Sequence, residues 1–232
     1  AGILGDIIIS DLFFVRSLNF SYDGLVAGTP GQATYYNFTQ ANESRTPVIY
    51  TGANDGMLHA FNADTGVELF SYVPSVVYSK LSALTSSNYT HRYIVDGNTY
   101  AGDAYIGATP SWKTILLGTT GGGGKGIFAL DITDPTNFTA SNVMWEFTDA
   151  DLGFVHGQAK IALLNDGTWV AIISNGYNST SDKAYLYVVN LQTGALIKKI
   201  ATNNTTNNGL STPSLMDTNG DKMIDYVYAG DL

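Results

Sequence analysis

The chain has 232 residues, 44% of them hydrophobic, which supplies a sizeable core for one domain or two. Charged residues make up only 13%, about half the usual share for a soluble globular chain, and 11 basic against 20 acidic residues leave a net charge of −9. That balance argues against a nucleic-acid partner and favours cations, calcium among them; with no cysteine, disulfide frameworks, thiolate metal sites and cysteine nucleophiles are excluded.

The first residues, Ala1 to Asp6, carry no basic group and their apolar stretch is cut by Asp6, so no signal peptide is read there. No run approaches the roughly 18 apolar residues of a membrane-spanning helix. Helical periodicity is weak, and the spacing predicts a single short helix, Ser75 to Leu84, following Pro74. Strand signals are plentiful: short runs rich in Val, Ile, Tyr and Phe, bounded by Gly, Asn, Asp and Pro. In chain order they include Val48–Thr51, Glu68–Tyr72, Thr114–Leu117, Val143–Phe147, Val170–Ile173, Tyr185–Val189 and Ala195–Ile200. The ending, Tyr228 to Leu232, reads as a strand running into a turn, so the chain is expected to lie within a longer protein.

Three segments repeat one plan: an apolar strand ending in Gly, a polar turn, a second strand ending in Asn or Asp, and another turn. They are Val48–Gly66, Thr114–Pro135 and Val170–Gly194, with a fourth beginning at Asp225. Each complete unit is followed by one more strand. Marker glycines fall at Gly52, Gly118, Gly176 and Gly230, a spacing that suits one β-propeller blade with insertions. The expected fold is therefore all-β, a modified propeller that is seven-bladed when complete, with about four blades visible, and residues 1–232 forming part of it. An ordinary β-sandwich with accidental similarity is the competing architecture.

The segment Asp217-Thr-Asn-Gly-Asp-Lys-Met-Ile-Asp225 carries the strongest chemical signal. Oxygen side chains stand at positions 1, 3, 5 and 9 (Asp217, Asn219, Asp221, Asp225), and position 7, Met223, offers its backbone carbonyl. A hard cation needs about six or more oxygens at short range, and a tightly curled loop turns every second side chain inward. Three carboxylates this close repel one another unless a cation neutralises them. The loop departs from an EF-hand at position 6, where Lys222 replaces Gly, and at position 12, where Tyr228 replaces Glu; strands flank it in place of helices. A metal-free, Asx-rich hairpin turn is the alternative.

Other motifs are weaker. Asn54-Asp-Gly56 reads as a hairpin turn, and Asp103, Asp149 and Asp151 as isolated turn carboxylates. Gly121–Lys125 lacks the phosphate-loop pattern, since Thr119 and Gly126 stand where Gly and Ser or Thr belong, and reads as a flexible hairpin. His59, His91 and His156 form no metal-spaced pair.

The stretch Arg45 to Phe70 (RTPVIYTGANDGMLHAFNADTGVELF) resembles the hallmark segment of the PilC/PilY family of type IV pilus biogenesis proteins. So do Tyr93–Gly97, Trp112-Lys-Thr with its glycine run, Phe128–Pro135, Asn175–Ser179, Gly209–Pro213 and Tyr226–Leu232, in order along nearly the whole chain. The resemblance implies a C-terminal propeller of a large exported, secreted protein at the bacterial cell surface, outer membrane or pilus tip (fimbrium). It implies a non-enzymatic role in pilus assembly, in extension and retraction, in surface adhesion and in twitching motility. The implied partners are pilus components such as minor pilins, with host or abiotic surfaces contacted through regions absent here. It further implies Ca2+ in the nine-residue loop, on Asp217, Asn219, Asp221, the Met223 carbonyl and Asp225. The repeat is also similar to the blades of pyrroloquinoline quinone dehydrogenases. That enzymatic alternative lacks an evident catalytic Asp or quinone-binding Arg, and the vicinal disulfide common in such enzymes is impossible here.

Overall fold

The structure, a computed structural model, describes residues 4–202 and 205–232. It contains three complete four-stranded antiparallel sheets, each in sequence order. They are β1–β4 (Phe13–Val15, Val48–Gly52, Leu58–Asn62, Glu68–Tyr72), β5–β8 (Thr99–Ile106, Ser111–Thr119, Ile127–Asp131, Val143–Phe147) and β9–β12 (Lys160–Leu163, Trp169–Ser174, Tyr185–Asn190, Leu196–Ala201). A two-stranded sheet, β13 (Ser214–Met216) with β14 (Tyr226–Tyr228), follows. These are propeller blades, three whole and one represented by its first two strands.

The repeat read from the sequence covers strands two to four of each blade; the leading strands β1, β5 and β9 escaped it. Each blade is a meander, so its first and third turns lie at one end and its second turn and the link to the next blade lie at the other. The turn after the third strand has one design in the first and third blades. The Asn62 side chain accepts from the Asp64 and Thr65 amides, and Asn190 accepts from Gln192 and Thr193 in the same way. Gly66 and Gly194 close these turns at φ 70° and 71°, a left-handed conformation that favours glycine.

Alternation along the strands fills the seams between blades. On β6, Leu116 faces the first blade with Phe128, Leu130 and Tyr50, while Ile115 and Leu117 face the third with Ile127, Ile161 and Ala171. On β10, Ala171 and Ile173 point back to the second blade, whereas Val170 and Ile172 pack with Leu215, Ile224 and Val227 of the fourth. Central strands buried on both faces read as continuous apolar runs, which explains why they were the most visible in the sequence.

Three expectations need correction. A helix, α1 (Gln32–Ala41), stands between β1 and β2, where none was predicted, because its Thr, Tyr and Phe are strand-formers by propensity. It is held by tertiary contacts: Tyr35 lies 4.5 Å from Trp112, centroid to centroid, and donates its hydroxyl to Asp103 at 2.8 Å. The helix expected over 75–84 forms in pieces, as a 3-10 turn at Ser75–Val77, a four-residue helix α2 (Tyr78–Leu81) and a second 3-10 turn at Ser82–Thr85. The glycine run is not a flexible hairpin. Gly121–Gly123 forms a 3-10 turn with Gly121 and Gly123 buried, and a Cβ on Gly123 would sit 1.8 Å from the Ile94 carbonyl oxygen.

Candidate metal centre

Residues 217–225 form the tip of the β13–β14 hairpin, the first turn of the fourth blade. Its neck is closed by Met216↔Tyr226 pairing and by the Asp225 amide donating to the Met216 carbonyl at 3.0 Å. All five sequence-selected positions therefore lie in one loop. The Asp217 carboxylate collects three of that loop's own amides, Asn219 at 3.2 Å, Gly220 at 2.7 Å and Lys222 at 2.8 Å. Asp221 accepts from the Met223 amide at 2.8 Å and from the Asn219 side-chain amide at 3.0 Å. Gly220 and Lys222 take left-handed conformations, φ 82° and 71°. That curl is costly for a lysine, and the Asp217–Lys222 amide bond helps to hold it.

Electrostatics favour a cation. Slight desolvation would raise the Asp217 pKa, but the amides of Lys222, Gly220 and Asn219 outweigh it and hold the carboxyl below the usual range. Asp225 is likewise lowered, chiefly by the Thr218 hydroxyl and amide. Among the described residues none of Asp217, Asp221 and Asp225 has a basic partner within ion-pair distance, although Lys222 lies between them. The donor set is all oxygen, acidic and unneutralised, which fits a hard divalent ion by chemistry. The carboxylates are not drawn to one point: no group of three or more His, Cys, Asp or Glu placed to hold a metal is found among the described residues. Each acid is instead held by donors of the protein.

Two contributors were not foreseen. Thr218 donates both amide (2.9 Å) and hydroxyl to Asp225 Oδ2, and Asn165, in the β9–β10 turn of the third blade, donates to Asp225 Oδ1 at 3.3 Å. A separation of 60 residues gives no local signal for that second contact. The loop is docked on the third blade elsewhere as well. The Ile224 amide donates to the Leu163 carbonyl at 2.8 Å, Leu164 and Ile224 form a parallel bridge, and the Met223 side chain packs against the main core.

The remaining candidates are structural. Asp149 and Asp151 are not isolated: both pair with Lys199, the first at 2.7 Å, and Asp149 also accepts from the Tyr187 hydroxyl. Asp103 lies within β5, not in a turn. It accepts from Tyr35 and Thr114, each at 2.8 Å, and burial pushes its pKa up to about 6. Asn54-Asp-Gly56 is the expected hairpin turn, with the Ala53 amide bonded to the Met57 carbonyl and Gly56 at φ 99°. His59 is buried, Nδ1 lying 2.6 Å from Glu68 and Nε2 3.1 Å from Asp55. His91 pairs with Asp6 at 2.7 Å, and the His156 carbonyl accepts from the Asn98 side chain at 2.9 Å.

Comparison with known proteins gives a consistent result. The family model described as the PilY1 beta-propeller domain matches residues 4–232. The type IV pilus biogenesis factor PilY1 of Pseudomonas aeruginosa PAO1 is 41% identical over 239 residues, covering 99% of this chain and 20% of that protein. A PilY1 homolog of Xylella fastidiosa is 42% identical over 250 residues, covering 100% of this chain and 17% of the homolog. The crystal structure of the P. aeruginosa PilY1 C-terminal domain superposes with a TM-score of 0.77 at 38% identity, covering 94% of this chain and 42% of that domain. The chain thus spans about a fifth of the length of these curated relatives.

Proposed function

This chain belongs to the PilY1 β-propeller domain family, and from that premise we propose that it is a non-enzymatic module of type IV pilus biogenesis whose 217–225 loop binds calcium. The observation that carries the metal reading is the loop itself. Three carboxylates and an asparagine amide stand at alternate positions of a closed hairpin tip, and among the described residues no basic group lies within ion-pair distance of these acids. Asp217, Asn219, Asp221, the Met223 carbonyl and Asp225 would hold the ion. When bound, the ion supplies a compact double positive charge that offsets the mutual repulsion of the acids. The protein's part is to shape the turn: Asp217 gathers the amides of the curl, and Met223 anchors its seventh position to the core.

Around that loop the blades provide a rigid frame. In the intact protein the module works at the cell surface, outer membrane or pilus tip with pilus components such as minor pilins, and calcium there biases pilus extension against retraction, and with it adhesion and twitching. The named role of the curated relatives in type IV pilus biogenesis supports the pilus part of this reading. The test is genetic. A strain lacking the protein should lose surface pili and twitching, and one carrying Asp221→Ala should keep the exported protein but respond differently to calcium depletion. A deletion strain that piliates and twitches like its parent overturns the pilus reading.

A further inference from the structure

The Asp225 carboxylate is held from two sides. Thr218, within the loop, serves Oδ2 with its amide at 2.9 Å and its hydroxyl, and Asn165, on the neighbouring blade, serves Oδ1 at 3.3 Å. Both are neutral donors, so they fix the orientation of the carboxylate while leaving its full charge for an ion. A lysine in either place would have cancelled that charge. Preorganised ligands also lose less rotamer freedom on binding, and outer partners of this kind commonly matter nearly as much as the ligands. The same blade grips the end of the loop through the Ile224 amide, 2.8 Å from the Leu163 carbonyl, beside the Leu164–Ile224 bridge.

We infer that Asn165 is a positioning residue for the ion of the 217–225 loop, and that ion binding is thereby coupled to the seating of the fourth blade on the third. This rests on the calcium reading above. Coupling is reciprocal: an ion that fixes Asp225 strengthens the Asn165 and Leu163 contacts, and those contacts raise the affinity for the ion. The seam between two blades then becomes part of the site.

Calorimetric titration of calcium into the full-length protein, as wild type, Asp221→Ala and Asn165→Ala, tests this. The difference between wild type and Asp221→Ala isolates the loop. Asn165 is exposed, so its replacement leaves the core untouched. Asn165→Ala should weaken the loop's affinity by roughly 10- to 100-fold, and Asn165→Ser, which keeps a shorter donor, should fall between. Hydrogen exchange gives a readout that a merely structural role would not move: calcium should raise protection of the Ile224 amide in wild type and raise it less in Asn165→Ala. Wild-type affinity and wild-type protection in Asn165→Ala would overturn the inference and leave the calcium reading standing. A wild type that titrates like Asp221→Ala would overturn the calcium reading, and the inference with it.

Discussion

The Trp145 indole N–H donates to the Leu191 carbonyl at 2.7 Å, tying the outermost strand of the second blade to the β11–β12 turn of the third. The ring also fills the space over Gly194, where a Cβ would come within 2.7 Å of it. Trp145→Phe should keep most of the apolar contact but leave a buried carbonyl without its donor, at about 1–3 kcal/mol. Trp145→Ala should cost about 3–5 kcal/mol. Urea unfolding measures both, and equal stability of the two variants would refute the docking role.

Gly123 meets the backbone of Ile94 with no room for a side chain, since a Cβ would lie 1.8 Å from that carbonyl oxygen. Backbone cannot move aside as a flexible side chain can. Gly123→Ala is expected to cost well above the ~1 kcal/mol of an average substitution. Gly66→Ala faces open space and carries only the strain of φ 70°, so it should be the milder change in the same thermal melt.

Asp103 gives a pH dependence of known sign. Its carboxyl titrates near 3.8 in the unfolded chain and, through burial, at about 6 in the fold. The folded state therefore binds the proton more tightly, and this contribution to stability is complete below about pH 3.8 and lost as pH rises through about 6. A shift of this size corresponds to something on the order of 3 kcal/mol. Stability of Asp103→Asn should fall less than that of wild type between pH 4 and pH 7; parallel profiles would contradict the assignment.

His59 gives a second pH dependence of the same sign. Burial lowers its pKa, but the hydrogen bonds and charges of Asp55 and Glu68 outweigh it and leave the value raised. A raised histidine adds stability that is full below its unfolded pKa, about 6.5, and is lost as pH rises through the folded value. His59→Gln should remove this decline as pH rises above the unfolded value of about 6.5, as followed by denaturant titration at several pH values. An unchanged slope would show that the ring is not charged in the fold.

Much of this architecture is legible in the sequence because the blades repeat their own turns. Asn62 and Asn190 mark the same bend with the same two amides, each followed by a left-handed glycine, and the buried strands between read as apolar runs. The predicted Glu68–Tyr72 and Val143–Phe147 coincide with β4 and β8. The leading strands were less visible. β1 has three residues, and β5 carries Gly102 and Asp103 in mid-strand, the acid being satisfied by Tyr35, 68 residues away. Helix α1 owes its place to that same tyrosine and to Trp112 rather than to any periodicity of its own. At the candidate site the five loop positions were readable because their spacing is local, whereas Asn165 reaches Asp225 only once two blades have packed.

The central claim is that the 217–225 loop binds calcium in the folded protein, and thermal unfolding with and without the ion tests it most directly. A ligand that binds only the native state stabilises it by about 2.7 kcal/mol at 100 times its dissociation constant. Wild type should therefore melt higher in calcium than in chelator, and Asp221→Ala should lose that difference. Wild type and Asp221→Ala that respond identically to calcium would contradict the account.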